Sequence, residues 1–167
     1  MDNYICKIAS LEEVATMHDF YIENDIEDRD NWIKWKENAI DNIRNNRIIN
    51  YYGFLNGKTI CEATAAINNN HIQNSEGLID NKTVYLLAFR TLPEYRNKGY
   101  FSKLFKFMIN DLISRGYEYA TIGVEPDEIR NKEIYKHYGF TEHLKNAQEV
   151  FPDGTTIDVE YYRKKLI

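Results

Sequence analysis

Long apolar runs are missing from this sequence. No stretch of its 167 residues approaches the roughly 20 apolar positions that span a bilayer. Met1-Asp2-Asn3-Tyr4 has neither the basic start nor the apolar run of a secretory leader, so a cytoplasmic protein without membrane partners is expected. Cysteine is nearly absent: Cys6 and Cys61 are the only two. They are too few for a disulfide framework or a zinc site and are expected to be buried, reduced thiols. Positive charge is in deficit, with 21 Lys+Arg against 26 Asp+Glu and a net charge of −5. A protein that neutralises nucleic-acid phosphates needs the opposite balance, so no nucleic-acid partner is expected. The same charge tolerates a cationic substrate. Neither G-x-x-x-x-G-K-[ST] nor a complete G-x-G-x-x-G is present, which counts against nucleoside-triphosphate and dinucleotide readings. The histidines lack metal-ligand spacing, and no metal is expected.

What is present is the composition of a globular chain: 43% hydrophobic and 14% aromatic, with 13 tyrosines suited to core edges and interfaces. No repeat, low-complexity tract or interdomain linker interrupts it, so residues 1–167 are expected to form one domain. The chain is organised around residues 83–125. Val84-Tyr85-Leu86-Leu87-Ala88-Phe89 reads as a strand covered on both faces. After Pro93, the polar loop Arg96-Asn97-Lys98-Gly99-Tyr100-Phe101 leads into a helix, with Phe101, Leu104, Phe105, Met108 and Leu112 at helical spacing. Gly116 stops that helix, and Tyr119–Val124 is the next strand. Strand, glycine turn, helix and strand make a βαβ unit with parallel strands and a right-handed crossover. Backbone N–H groups at the helix start, beside Arg96 and Lys98, suit a phosphate or pyrophosphate. A glycine here also serves turn geometry alone.

Elsewhere, Tyr4–Ile8 reads as a short strand. Ser10 with Glu13 forms a capping box opening a helix with Val14, Met17, His18 and Tyr21 on its apolar face. A flexible acidic stretch, 24–31, separates it from a second helix carrying Trp32, Trp35 and Ile43. Asn56-Gly57 between alternating runs marks a hairpin, and 68–81 reads as a polar loop. Asn131–Tyr138 is a short helix, and two strands, about 141–150 and 156–164, close the chain.

Two segments of this order carry a family resemblance. Arg96-Asn97-Lys98-Gly99 after a buried strand resembles most of the R/Q-x-x-G-x-G/A loop of the GNAT N-acetyltransferases. Ile134-Tyr135-Lys136-His137-Tyr138-Gly139-Phe140 is similar to that family's "lYeklGF" segment. The resemblance implies an α/β (α+β) GNAT fold: a mixed, twisted central sheet, helices on both faces, and a splay between two parallel strands. It implies acetyl-CoA as co-substrate, with pantetheine along the Phe89-Arg90-Thr91 backbone. The pyrophosphate would lie on N–H groups from Asn97 through Lys98, Gly99 and Tyr100 to Phe101, with Arg96 beside them. It also implies that Tyr135 protonates the departing CoA thiolate. The activity implied is transfer of acetyl from acetyl-CoA to a primary amine by direct attack. There are departures from the family pattern. Phe101 stands where Gly or Ala is usual, so its ring must turn into the core. Thr91 stands where Val is common. Glu128 replaces an asparagine seven residues before the tyrosine, leaving Asn131 as the candidate pantetheine contact.

Several readings stay open. Tyr135 could be a packing residue beside Tyr138. Glu125, at the end of its strand, is the candidate general base, or equally a helix-start acid. Glu62 is a second candidate base, or solvent-facing. His71 and His137 read as surface histidines. A silent acyl-CoA-binding module on the same fold is the alternative to an enzyme. The acceptor, and whether the chain is a monomer or a homodimer, stay open as well.

Overall fold

The computed structural model describes residues 1–167. Its strands form a seven-stranded mixed sheet in the order β1-β2-β3-β4-β5-β7-β6, flanked by helices. β4 (Thr83–Thr91) and β5 (Tyr119–Val124) are parallel, with Thr83 to Leu86 opposite Tyr119 to Ile122. Backbone contacts divide the chain into two parts, Met1–Thr64 with Ala88–Met108, and Ala65–Leu87 with Ile109–Ile167.

In the first part, β1 (Tyr4–Ile8) lies antiparallel to β2 (Ile48–Leu55), with Cys6 opposite Gly53. Asn56 and Gly57, at φ 51° and 85°, make a tight turn into β3 (Lys58–Ala66). Two left-handed residues in succession match the twist of a hairpin, as the Asn-Gly pair implied. Helix α1 (Leu11–Asn24) opens with the capping box expected of Ser10 and Glu13. Each accepts a hydrogen bond from the other's main-chain N–H, at 3.1 Å and 2.9 Å. α2 (Arg29–Arg44) follows after only residues 25–28. This connection is shorter and better tied than the flexible stretch expected, because Asp25 accepts from the Asp28 main chain and the Trp32 indole. Val14, Met17, Tyr52, Phe54 and Leu92 form the core beneath the helices. Cys61 is buried, but Cys6 is only half-buried, contrary to expectation, because β1 is an edge strand.

In the second part, β5 is antiparallel to β7 (Thr156–Lys165), and β7 to β6 (Glu142–Val150). Helix α4 (Ile129–His137) starts two residues earlier than its sequence pattern suggests. The 68–81 segment is polar and loop-like, as expected, but firmly seated. Leu78 is fully buried, its carbonyl accepts the Thr121 hydroxyl at 2.8 Å, and Gln73 pairs with both the N–H and C=O of Val150. His71 is accordingly half-buried and not the surface residue expected. Helix α3 (Tyr100–Ser114), whose residues through Met108 belong to the first part, buries Leu104, Phe105, Met108 and Leu112, the face its spacing announced. β4 is fully buried only from Thr83 to Leu86; from Leu87 on it is partly exposed, so its apolar run overstated its burial. No helix is long and apolar enough to cross a membrane.

Candidate active site

The loop between β4 and α3 is built from backbone conformations that few residues accept. Leu92 donates to the Ile60 carbonyl at 2.9 Å, and Pro93–Tyr95 form a single 3-10 turn. Arg96 folds back, its Nε donating to the Thr91 carbonyl at 3.0 Å. Asn97 and Gly99 then take φ 62° and 83°, so the chain reverses sharply before α3 begins. Asparagine and glycine tolerate this region best. Arg96, Asn97, Lys98 and Gly99 are all exposed. The first N–H groups of a helix point out of its N-terminus, where the dipole favours an anion. The Phe101 ring, half-buried, packs 5.1 Å from the Phe89 ring.

The loop has a brace that the sequence did not announce. The Tyr4 hydroxyl donates to the Tyr100 carbonyl at 2.8 Å, lies 3.0 Å from Cys61 Sγ, and its ring sits 4.7 Å from the Tyr100 ring. Gly53 makes room for this, since a Cβ there would stand 2.2 Å from the Tyr4 oxygen. Burial pushes the Tyr4 phenol far up and keeps it protonated. Burial also raises the Cys6 thiol and pushes Cys61 up to about 11, so neither is a ready thiolate nucleophile.

At the end of β4, Ala88 sits at φ 58°, a left-handed kink inside a strand. For a residue with a Cβ this costs about 1–3 kcal/mol. Beyond it the side chains of Phe89 and Arg90 diverge. Phe89 meets Phe101 and Phe105, whereas Arg90 reaches Glu62 with an N–O distance of 2.6 Å. Glu62 is 3% exposed, and its other oxygen accepts the Tyr21 hydroxyl at 2.9 Å. Both oxygens are thus engaged, and the solvent-facing alternative for Glu62 is wrong. The Arg90 guanidinium also lies over the rings of Trp32 (4.8 Å) and Tyr21 (5.5 Å).

In the second part of the chain, Tyr135 and Glu125 line one pocket of about 140 Å³, together with Tyr85, Gly123, Glu128 and Glu149. Burial raises the Glu125 carboxyl above the usual range, helped by its hydrogen bond to Glu128 and the charges of Asp127 and Glu149. Tyr85 is raised well above a free phenol, by burial first and then by Glu149. Glu149 also accepts the Tyr161 hydroxyl at 2.6 Å. Asn131, one helical turn before Tyr135 on α4, donates to Glu128 at 2.6 Å. His137 is exposed, as expected. Tyr85 and Glu149 escaped the sequence reading: one is hidden in an apolar run, and the other is brought in only by the pairing of β6 with β7.

Comparison with known proteins adds the family. A model of the acetyltransferase (GNAT) family matches residues 9–140. Among solved structures, the ribosomal-protein-S18-alanine N-acetyltransferase of Escherichia coli is similar at TM-score 0.68 and 16% identity, over 98% of this chain and 94% of that one. Arabidopsis thaliana NAA60, in complex with a bisubstrate analogue, gives 0.71 and 16%, over 98% and 99%. The yncA structure from Salmonella typhimurium with its cofactor acetyl-CoA gives 0.65 and 16%, over 99% and 95%. No curated protein matches the sequence.

Proposed function

The chain belongs to the acetyltransferase (GNAT) family, and from that premise we propose that residues 1–167 are one N-acetyltransferase domain passing the acetyl group of acetyl-CoA directly to a primary amine. The observation that carries this reading is the exposed Arg96–Gly99 turn opening α3, with its left-handed Asn97 and Gly99. A basic, exposed helix start of this kind suits a pyrophosphate.

In this reading Arg96 and the main chain of Asn97, Lys98, Gly99, Tyr100 and Phe101 hold the pyrophosphate. The Phe89-Arg90-Thr91 main chain holds the pantetheine and polarises the thioester carbonyl, and Asn131 is a further pantetheine contact. Glu125 takes a proton from the incoming ammonium; a carboxyl raised by burial is a better match to that task than an ordinary one. The free amine attacks the carbonyl carbon, the C–S bond breaks, Tyr135 gives its proton to the thiolate, and the second proton leaving the new amide nitrogen restores the tyrosine hydroxyl. Backbone donors aimed at the developing oxyanion, with two positioned reactants, supply most of the rate. Protonated, buried Cys61 and raised Cys6 favour this direct route over an acyl-cysteine intermediate.

The test is release of free CoA thiol from acetyl-CoA in the presence of a panel of amines: small amines, polyamines, amino acids and peptide N-termini. Amine-dependent release is expected from one class. CoA binding with no release from any amine would instead favour a silent acyl-CoA-binding module.

A further inference from the structure

The role proposed for Phe89-Arg90-Thr91 uses main chain alone, and the Arg90 side chain has separate work. Its guanidinium is held from three elements. Glu62 of β3 accepts from it at 2.6 Å, while Tyr21 of α1 and Trp32 of α2 place their faces beneath it at 5.5 Å and 4.8 Å. That seat is itself rigid. The Tyr21 and Trp32 rings stack 4.3 Å apart at an interplanar angle of 17°, and Asp25 accepts the Trp32 indole N–H at 2.9 Å. Glu62 has no slack, since its second oxygen takes the Tyr21 hydroxyl.

We propose that the Arg90 side chain is a positioning residue for acetyl transfer, fixing the Phe89–Thr91 main chain where it polarises the thioester. This rests on the acetyltransferase reading above. The kink at Ala88, φ 58°, lies immediately upstream, and a strained residue holds its conformation only where its surroundings over-determine it. Arg90 supplies the hold on one side of the strand. Phe89, packed against Phe101 and Phe105, supplies it on the other, and Leu92 is tied to Ile60 downstream. An ion pair whose carboxylate is buried is a poor source of stability compared with apolar residues of the same volume. What it adds is geometry. A planar guanidinium fixed at one edge by a carboxylate and on one face by aromatic rings has little freedom to move. Groups aimed at a reacting atom need placement within about 0.5 Å. The Arg90 side chain is 36% exposed with its charge already matched by Glu62, so its role is that of a clamp.

The experiment compares wild type with Arg90→Met, Arg90→Lys and the double variant Glu62→Gln/Arg90→Met. Three quantities are read: Tm, the Kd of CoA by calorimetry, and kcat with the best amine of the panel. Arg90→Met alone strands the Glu62 charge and loses Tm. The double variant, whose uncharged amide still accepts the Tyr21 hydroxyl, is expected to regain most of that Tm and to bind CoA within about threefold of wild type. Its kcat is expected to stay about 10–100-fold low, the scale of a small misplacement at the reacting centre. Arg90→Lys should recover part of the kcat lost in Arg90→Met, since it still pairs with Glu62 but has no plane to stack. If kcat follows Tm, so that the double variant regains both, the clamp is structural and the proposal falls. If Arg90→Met does not fold, the double and lysine variants decide by the same criteria. A wild-type protein that binds CoA but releases no thiol refutes the acetyltransferase reading and this proposal together. Wild-type turnover with unimpaired variants refutes this proposal alone.

Discussion

Adding one methyl group at Gly53 should loosen the loop that the functional reading depends on. Gly53 lies on β2 opposite Cys6, and its φ is not the constraint; the space above it is. An alanine Cβ would stand 2.2 Å from the Tyr4 oxygen, 2.7 Å from Cys61 Sγ and 2.8 Å from Tyr4 Cζ. The tyrosine ring must swing out, which breaks its 2.8 Å bond to the Tyr100 carbonyl at the start of α3. Overpacking of this kind costs about 1–3 kcal/mol. The lost hydrogen bond adds about 1 kcal/mol, and replacing glycine by alanine within a strand returns about 0.5–1 kcal/mol. The net loss is about 2 kcal/mol, a fall in Tm of about 4–8 °C for a chain of this size. CoA should bind more weakly too, by roughly fivefold if about 1 kcal/mol of loop order is lost. Thermal melts with and without CoA measure both effects. The decisive control is Tyr4→Val, which removes the ring: in that background Gly53→Ala should cost at least about 1 kcal/mol less. A Gly53→Ala protein that melts with wild type, or one whose loss is the same in both backgrounds, would show that Tyr4 does not brace the turn.

Three further perturbations address the proposed roles. Tyr135→Phe keeps the ring and should leave Tm and the Kd of CoA nearly unchanged while lowering kcat at least about tenfold, because the proton is given only as the C–S bond breaks; full activity would assign Tyr135 to packing. Gly99→Val forces a β-branched residue into φ 83° with open space around its Cβ, so conformational strain, not a clash, should raise the Kd of CoA, and a variant that binds CoA normally would remove Gly99 from the site. Glu125→Gln tests the raised carboxyl. Because the folded pKa lies above the unfolded one, the folded state keeps a proton that the unfolded chain releases, and stability declines as pH rises through the window between the two. Relative to wild type, the glutamine variant should therefore gain Tm above that window and nothing below it, while losing the acid limb of the kcat/KM profile; an unchanged profile would leave the base elsewhere.

The parts of this molecule that local chemistry dictates were readable in advance. Ser10 and Glu13 cap α1, Asn56-Gly57 turns the hairpin, and the Leu104–Leu112 stripe faces the core, because each depends on residues within one or two turns of chain. The turn before α3 belongs with them, since Asn97 and Gly99 carry their own conformational signature. What stayed hidden depends on register between distant strands. Nothing near Glu62 announces that Tyr21, 41 positions earlier, and Arg90, 28 positions later, will take its two oxygens. Nor does a local pattern tell that Tyr4 reaches Tyr100, or that the β6–β7 pairing brings Glu149 to the Tyr135 pocket. The apolar run of β4 misled for a related reason. It is fully buried only over the residues opposite β5, and beyond Ala88 its side chains are chosen by what they grip. In the proposed enzyme, the short motifs hold the cofactor, while the long-range pairs of Glu62 with Arg90 and Tyr4 with Tyr100 hold the motifs. A motif transplanted without those partners should keep its sequence signature and lose its geometry.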